Sequence, residues 1–167
     1  MQKLIKDGQI VENTWTLIAK TEGDAAAVEV PAGQVIIPVA VWNAQKDTLQ
    51  NRTDIGVWLD SDEGAELIGA DANRFAVIGV NFPQFMDGRA FSTARLLRER
   101  YGFSGELRAV GNFMRDQLCY LRRCGVNAFA FADAEANLEE AVKSLSDLQE
   151  YYQAAVDQPL PLFRRRA

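Results

Sequence analysis

From residue 34 onward, short apolar runs alternate with stretches whose apolar residues recur every three or four positions. Gln34–Ala40, Ile55–Leu59, Phe75–Val80, Glu106–Val110 and Ala128–Ala132 are runs of strand length. Asn43–Asn51, Asp62–Ala70, Arg89–Tyr101, Phe113–Cys124 and Ala134–Tyr152 carry the helical period. In Arg89–Tyr101 the apolar side is Ala90, Ala94, Leu97 and Tyr101; in Phe113–Cys124 it is Met114, Leu118, Leu121 and Cys124. Before residue 34 the texture differs. Lys3–Ile5 and Gln9–Val11 flank Asp7-Gly8, a hairpin-turn signal, and Thr14–Ile18 reads as a further strand. Glu22–Ala27 reads as a loop.

Strand-then-helix alternation predicts an α/β fold with a mostly parallel sheet of about five βα units. Both a flavodoxin-like open sheet and a partial β/α barrel satisfy the pattern, because periodicity does not encode strand order. The expected organisation is one domain over residues 1–167. It consists of a β-hairpin extension (1–30), a βα core (34–155) and a flexible tail (157–167). Leu160, Leu162 and Phe163, followed by three arginines, also give that tail the character of a docking segment.

Composition narrows the function classes. The sequence pI is near 4.8, which argues against a nucleic-acid partner. No signal core and no apolar run of membrane-spanning length occurs, so a cytoplasmic protein is expected, without a membrane partner. The chain contains no histidine, which removes the commonest general base and transition-metal ligand. Its two cysteines, Cys119 and Cys124, are too few for a four-thiolate cluster, and no metal site is expected. On one helix they would stand too far apart for a disulfide. No cofactor is identified, although a flavin held by backbone contacts is compatible with the chain. Oligomeric state is not encoded in any pattern here.

Charge is the least ordinary feature. Between Asp87 and Arg123 stand eight arginines, no lysine and four acids, about +4 within a chain of net charge −5. Guanidinium pairs bidentately with carboxylates and oxyanions, so these arginines either tie the fold together or hold an anion. Ligands of parallel sheets lie outside the carboxyl ends of the strands. Two such ends fall in the segment, at 80–89 and at 110–112. Asp87 and Asn112 are placed to cap the helices that follow, with Arg89 and Ser92 after the first and Arg115, Asp116 and Gln117 after the second. The candidate anion-binding set is therefore Arg89, Ser92, Arg108, Asn112, Arg115 and Gln117, with Asp87 and Asp116 as candidate catalytic acid–base groups. Arg108 lies in a strand covered on both faces and needs a partner, either Asp87, Asp116, Glu106 or a bound anion. Arg95 and Glu99 are spaced to pair on a helix surface. Arg100, Arg122 and Arg123 read as solvated.

Three stretches carry a family resemblance: Asn81-Phe-Pro-Gln-Phe-Met-Asp-Gly-Arg-Ala-Phe-Ser-Thr-Ala-Arg-Leu-Leu-Arg, Gly105-Glu-Leu-Arg-Ala-Val-Gly-Asn and Asp116-Gln-Leu-Cys-Tyr-Leu-Arg-Arg-Cys-Gly. Together they resemble a bacterial family of uncharacterised domains, commonly encoded beside assimilatory sulfite reductase and described as oxidoreductases of sulfite reduction. The resemblance covers most of the chain and is densest over residues 81–129. It implies a role in sulfur assimilation; joined to the arginine reading, the leading expectation is an accessory protein of assimilatory sulfite reduction that binds a small oxyanion or a partner, sulfite reductase being the candidate, through the Asp87–Gln117 region. An enzyme acting on a phosphorylated or sulfur-containing small molecule is the alternative. A non-catalytic partner protein with purely structural arginine salt bridges is the third reading.

Overall fold

The computed structural model describes residues 2–133 and 136–166. Eight strands form one sheet: β1 (Lys3–Lys6), β2 (Gln9–Glu12), β3 (Thr16–Leu17), β4 (Val35–Pro38), β5 (Ile55–Leu59), β6 (Val77–Phe82), β7 (Glu106–Gly111) and β8 (Ala128–Phe131). Their spatial order is β2-β1-β8-β7-β6-β5-β4-β3. All pairs from β3 to β8 are parallel, whereas β1 pairs antiparallel with both β2 and β8. The parallel strands follow chain order without the reversal that a flavodoxin-like sheet requires.

The connection from β2 to β3 fixes the shape of this sheet. These strands are its two edges, yet Glu12 and Thr16 are only four residues apart. Four residues span at most about 14 Å. Eight strands laid flat would hold the edges roughly 34 Å apart. The sheet must curl until its edges nearly meet. The N-terminal hairpin is thus part of the sheet rather than an extension hung beside it. Asp7 and Gly8 both have positive φ, which gives the turn the twist a two-residue hairpin needs.

Helices cover the convex face. α1 (Val39–Leu49) follows β4, α2 (Arg89–Glu99) follows β6, α3 (Leu118–Arg123) follows β7 and α4 (Leu138–Ser144) follows β8; α5 (Leu162–Arg165) lies near the end of the chain. The unit expected after β5 differs. Ala65–Leu67 and Gly69–Arg74 are 3-10 turns, with Gly69 at positive φ between them, instead of an acidic α-helix. Five complete βα units are therefore not formed. α3 is also shorter than expected, because Arg115–Gln117 is a 3-10 turn. The start of the helix expected from residue 134 falls partly outside the described residues; the described helix there ends at Ser144. No helix among the described residues is long and apolar enough to cross a membrane.

The main core lies between helices and sheet. It is built from Val57, Leu59, Ile78, Val80, Leu107, Ala109 and Phe129 of the strands and from Trp42, Ala94, Leu97, Leu118 and Leu121 of the helices. The concave face is narrower and is filled differently. One row across it reads Trp58, Gly79, Arg108, Ala128, Lys6, each beside the next in register. Large and small residues alternate, so each long side chain spreads over a small neighbour. A side chain at Gly79 would meet the Trp58 Cβ at 2.9 Å. Ile36, Trp58 and Val77, with Trp15, make the apolar part of this interior.

Its polar part is an ion network. Arg108, 3% exposed, donates to Glu106 Oε1 from Nε at 2.7 Å and from Nη2 at 2.6 Å. Lys6 Nζ reaches Glu106 Oε2 at 2.8 Å from the other side of β8, passing over the small Ala128. Arg108 Nη1 donates to Asn13 Oδ1 at 3.0 Å. Asn13 lies in the β2–β3 connection, so Arg108 ties the middle of the sheet to the link between its edges.

Removing the carboxylate from this network leaves two cations facing each other without a counter-charge. Glu106→Gln should cost about 3–5 kcal/mol of unfolding free energy. Replacing the pair together, Glu106→Leu with Arg108→Met, should recover most of it. Urea denaturation of the three proteins measures this; a loss below about 1 kcal/mol in Glu106→Gln would show that the network does not hold the curl.

Candidate functional site

Parallel strands bring the residues that follow them to one end of the sheet, and three groups of chemically active side chains lie there or nearby. The first follows β5 and β6. Asp60 accepts from Lys20 Nζ at 2.9 Å and from Asn81 Nδ2 at 2.9 Å. Burial opposes ionisation of Asp60, but these donors outweigh it and hold the carboxyl below its ordinary value. Next to it, Arg89 grips both oxygens of Asp87, Nε to Oδ1 at 3.0 Å and Nη2 to Oδ2 at 2.8 Å, and Nη2 also donates to Ser61 Oγ at 3.0 Å. The Arg89 guanidinium, with a further hydrogen bond at Ser61, holds the Asp87 carboxyl well below the usual carboxylate range. Asp87 also accepts from the Arg89 backbone N–H at 3.3 Å, at the start of α2. With Asp62 and Glu63 close to Lys20, this corner carries more carboxylates than cations.

The second group is the cleft between the loops after β6, β7 and β8, about 480 Å³ in volume. Pro83, Phe85, Phe113, Met114 and Phe131 give it an apolar lining. Two side chains stitch its loops together. Asn112 donates from Nδ2 to Pro83 O at 2.9 Å instead of capping a helix. Gln117 donates to Phe85 O at 3.2 Å and accepts from the Met114 backbone N–H at 2.9 Å. No arginine among the described residues lines this cleft.

The expected anion-binding residues are therefore dispersed. Arg89 turns toward Ser61 after β5, while Arg115 turns the other way and pairs with Glu140 of α4 at 2.6 Å. Arg108 is inside the sheet, paired with Glu106, the third of its expected partners. Ser92 is exposed on α2. Arg95 and Glu99 form the expected helix pair at 3.0 Å.

The third group was not legible as a site. A cavity of about 390 Å³ lies between α2, α3 and the chain after residue 147; Arg95, Asp116, Cys119, Tyr120, Arg123 and Tyr151 are among its lining residues. Arg123 reads as solvated from its sequence neighbours, but it is only 7% exposed. The returning chain covers it. Its guanidinium stacks on the Tyr151 ring at 3.7 Å and Nη2 donates to Gln153 O at 2.5 Å. The Arg123 carbonyl accepts from Val156 N–H at 3.1 Å, and Arg122 stands 3.8 Å from Asp157. Further on, Leu162 N–H donates to Tyr152 O at 3.1 Å, so the expected tail carries bonds back to the preceding chain. Arg123 has no carboxylate partner among the described residues, and its buried Nη1 has no hydrogen bond. Asp116 borders the same cavity without an ion pair among the described residues. Both cysteines are free and buried; Cys119 donates to Ser144 O at 2.9 Å, and burial pushes the Cys124 thiol up against the opposing pull of Arg95 and Arg123.

A curled, mostly parallel sheet with helices on its convex face, and these loops at its carboxyl end, defines an α/β protein. Residues 56–163 match the model of a family described as bacterial proteins of unknown function, DUF934, and the chain belongs to that family. No curated protein and no solved structure matches the chain.

The Asp87–Arg89 pair gives a direct test of the local electrostatics. A depressed carboxyl pKa adds stability above the unfolded-state value near 3.9 and loses it as pH falls through the folded value. In a carbon-13 NMR titration Asp87 should remain ionised after ordinary aspartates have protonated, and Arg89→Met should return it toward them. An Asp87 that titrates with the others in the unaltered protein would contradict the pairing.

Proposed function

We propose that this protein is an accessory protein of assimilatory sulfite reduction that binds a small oxyanion in the cavity beside α3. One observation carries the binding reading: Arg123 is a buried guanidinium with no carboxylate partner among the described residues, next to a cavity. A buried cation without a counter-ion is costly, and an anion bound nearby relieves that cost. Arg95, at the same cavity, is a second guanidinium there, paired on its helix with Glu99. The sulfur-assimilation part of the reading rests on the resemblance at residues 81–129. In that role the protein works beside sulfite reductase.

An enzyme acting on a phosphorylated or sulfur-containing small molecule is the second reading, and Asp116 favours it. That carboxylate borders the same cavity without an ion pair among the described residues, so it is placed to exchange a proton with a bound ligand. Asp87 is less suited to acid–base chemistry, because Arg89 occupies both of its oxygens and keeps it ionised. Turnover abolished by Asp116→Asn, with binding retained, would favour the enzyme over the accessory protein.

Sulfite, sulfate or phosphate should raise the melting temperature above that in chloride of equal ionic strength. A ligand at 100 times its Kd stabilises by about 2.7 kcal/mol. For a domain of this size that is a shift of roughly 5–10 °C. Arg123→Met should abolish the shift, and Arg123→Lys should restore only part of it, because a point charge does not reproduce the planar fork. Arg89→Met should leave it intact. Equal shifts in the unaltered protein and Arg123→Met, or no shift with any of the three ions, would overturn the site. Co-elution of the purified protein with purified sulfite reductase on gel filtration tests the partnership separately.

A further inference from the structure

The cavity beside α3 has a lining of two unlike kinds. Arg123 is buried and cationic, and the Tyr151 ring lies against its guanidinium face. Tyr120 and Leu148 are apolar surface at the same cavity, and they are 58% and 59% exposed. Tyr120 is held at its post by Phe91, with ring centroids 5.0 Å apart, so its exposed face is presented rather than loose. Arg95 of α2 also lines the cavity.

We infer that the ligand of this cavity is an organic oxyanion, a phosphate or sulfate ester with an apolar or aromatic body, and not a bare inorganic ion; this rests on the oxyanion reading above. The anionic head faces the guanidinium groups of Arg123 and Arg95. The body lies along Tyr120 and Leu148 and removes their exposed faces from water. Size supports this. A space of about 390 Å³ falls in the range of about 300–1,000 Å³ that houses small organic ligands, and a tetrahedral ion fills only a small part of it. Composition supports it too, because such sites join a mainly apolar lining to a few fixed polar groups. An inorganic ion would use the cations and leave the apolar surface wet. A neutral apolar molecule would cover that surface and leave the Arg123 charge without a counter-ion.

Titration calorimetry of the full chain with phenyl phosphate, inorganic phosphate and phenol separates these cases. Phenyl phosphate should bind at least about tenfold more tightly than inorganic phosphate, the gain expected from burying one ring. Phenol should bind at least about tenfold more weakly than phenyl phosphate. Leu148→Ser, an exposed position that does not threaten folding, should cut the preference for the phenyl ester to about threefold or less while leaving inorganic phosphate unchanged. Arg95→Met, also at the surface, should weaken both phosphates alike; this arm does not depend on the buried Arg123. Equal affinity for phenyl and inorganic phosphate, or an undiminished preference in Leu148→Ser, would overturn the organic-ligand inference and leave the oxyanion reading standing. Phenol binding as tightly as phenyl phosphate would overturn the anionic head. No binding by either phosphate would overturn both the inference and the reading beneath it.

Discussion

The rest of the structure depends on the carboxylate of Glu106, which neutralises Arg108 on one side and Lys6 on the other inside the curl of the sheet. The β2–β3 connection forces the edges of the sheet together, and forced curvature shrinks the concave face. A narrow interior cannot be filled from every strand at once. The row Trp58, Gly79, Arg108, Ala128, Lys6 solves this by alternating long and short side chains. The long ones then meet over the short ones. Because two of them are cationic, an anion has to stand between them, and Glu106 begins the same strand as Arg108 on the same face. Burying Glu106 and Arg108 is costly unless each is paired and hydrogen-bonded. Here Arg108 spends its donors on Glu106 and Asn13, so the network also fixes where the edges meet.

That arrangement decides where a ligand can sit. An open sheet with a reversed strand order has a crevice at the reversal. Sequential order leaves no such crevice. At the carboxyl end the loops are instead laced to one another by Gln117, Asn112 and Arg89, and the cleft that remains is apolar. The cationic cavity arises elsewhere, where the chain after α4 returns over α3. Its walls are a helix surface and an irregular segment, and only the second can shape itself around Arg123.

Much of this was legible in the sequence. The strand positions β4 to β8 follow from the apolar runs, and the hairpin from Asp7-Gly8. The pairing of Arg108 follows from the rule that a buried guanidinium needs a partner. Three features were not legible, each for a physical reason. The 3-10 turns after β5 depend on Gly69 at positive φ, a local choice that helical periodicity does not report. The end of α4 at Ser144 is not written in the periodicity, because an amphipathic pattern states what a helix would bury but not whether anything is there to receive it. Arg123 was misread because the chain that covers it, around Tyr151 and Gln153, lies some thirty residues away. The nearer signal was present: Asp116, Cys119 and Arg123 are spaced to share one side of a helical path, and Cys119 is a buried residue type.

The arginine segment is best understood by asking what satisfies each guanidinium. Arg89, Arg95, Arg108 and Arg115 have carboxylates. Arg98 has none among the described residues, but it donates to the carbonyls of Gly125, Phe103 and Gly105 and to Asn127 Oδ1, which engages four of its five N–H groups with neutral oxygens. Five donors in a plane can knit three chain segments together in this way, and an ammonium cannot, which accounts for arginine rather than lysine at that position. Arg98 shows that a partly buried arginine without a carboxylate is not by itself a ligand site. Burial lowers its pKa, the expected response of a cation held only by dipoles. Arg123 differs in kind. It has one carbonyl and one aromatic face, an Nη1 without a hydrogen bond, and a cavity beside it. In one case the fold supplies enough oxygens to hold the charge. In the other it stops short of doing so next to open space, and that difference is the physical ground for placing an anion beside α3.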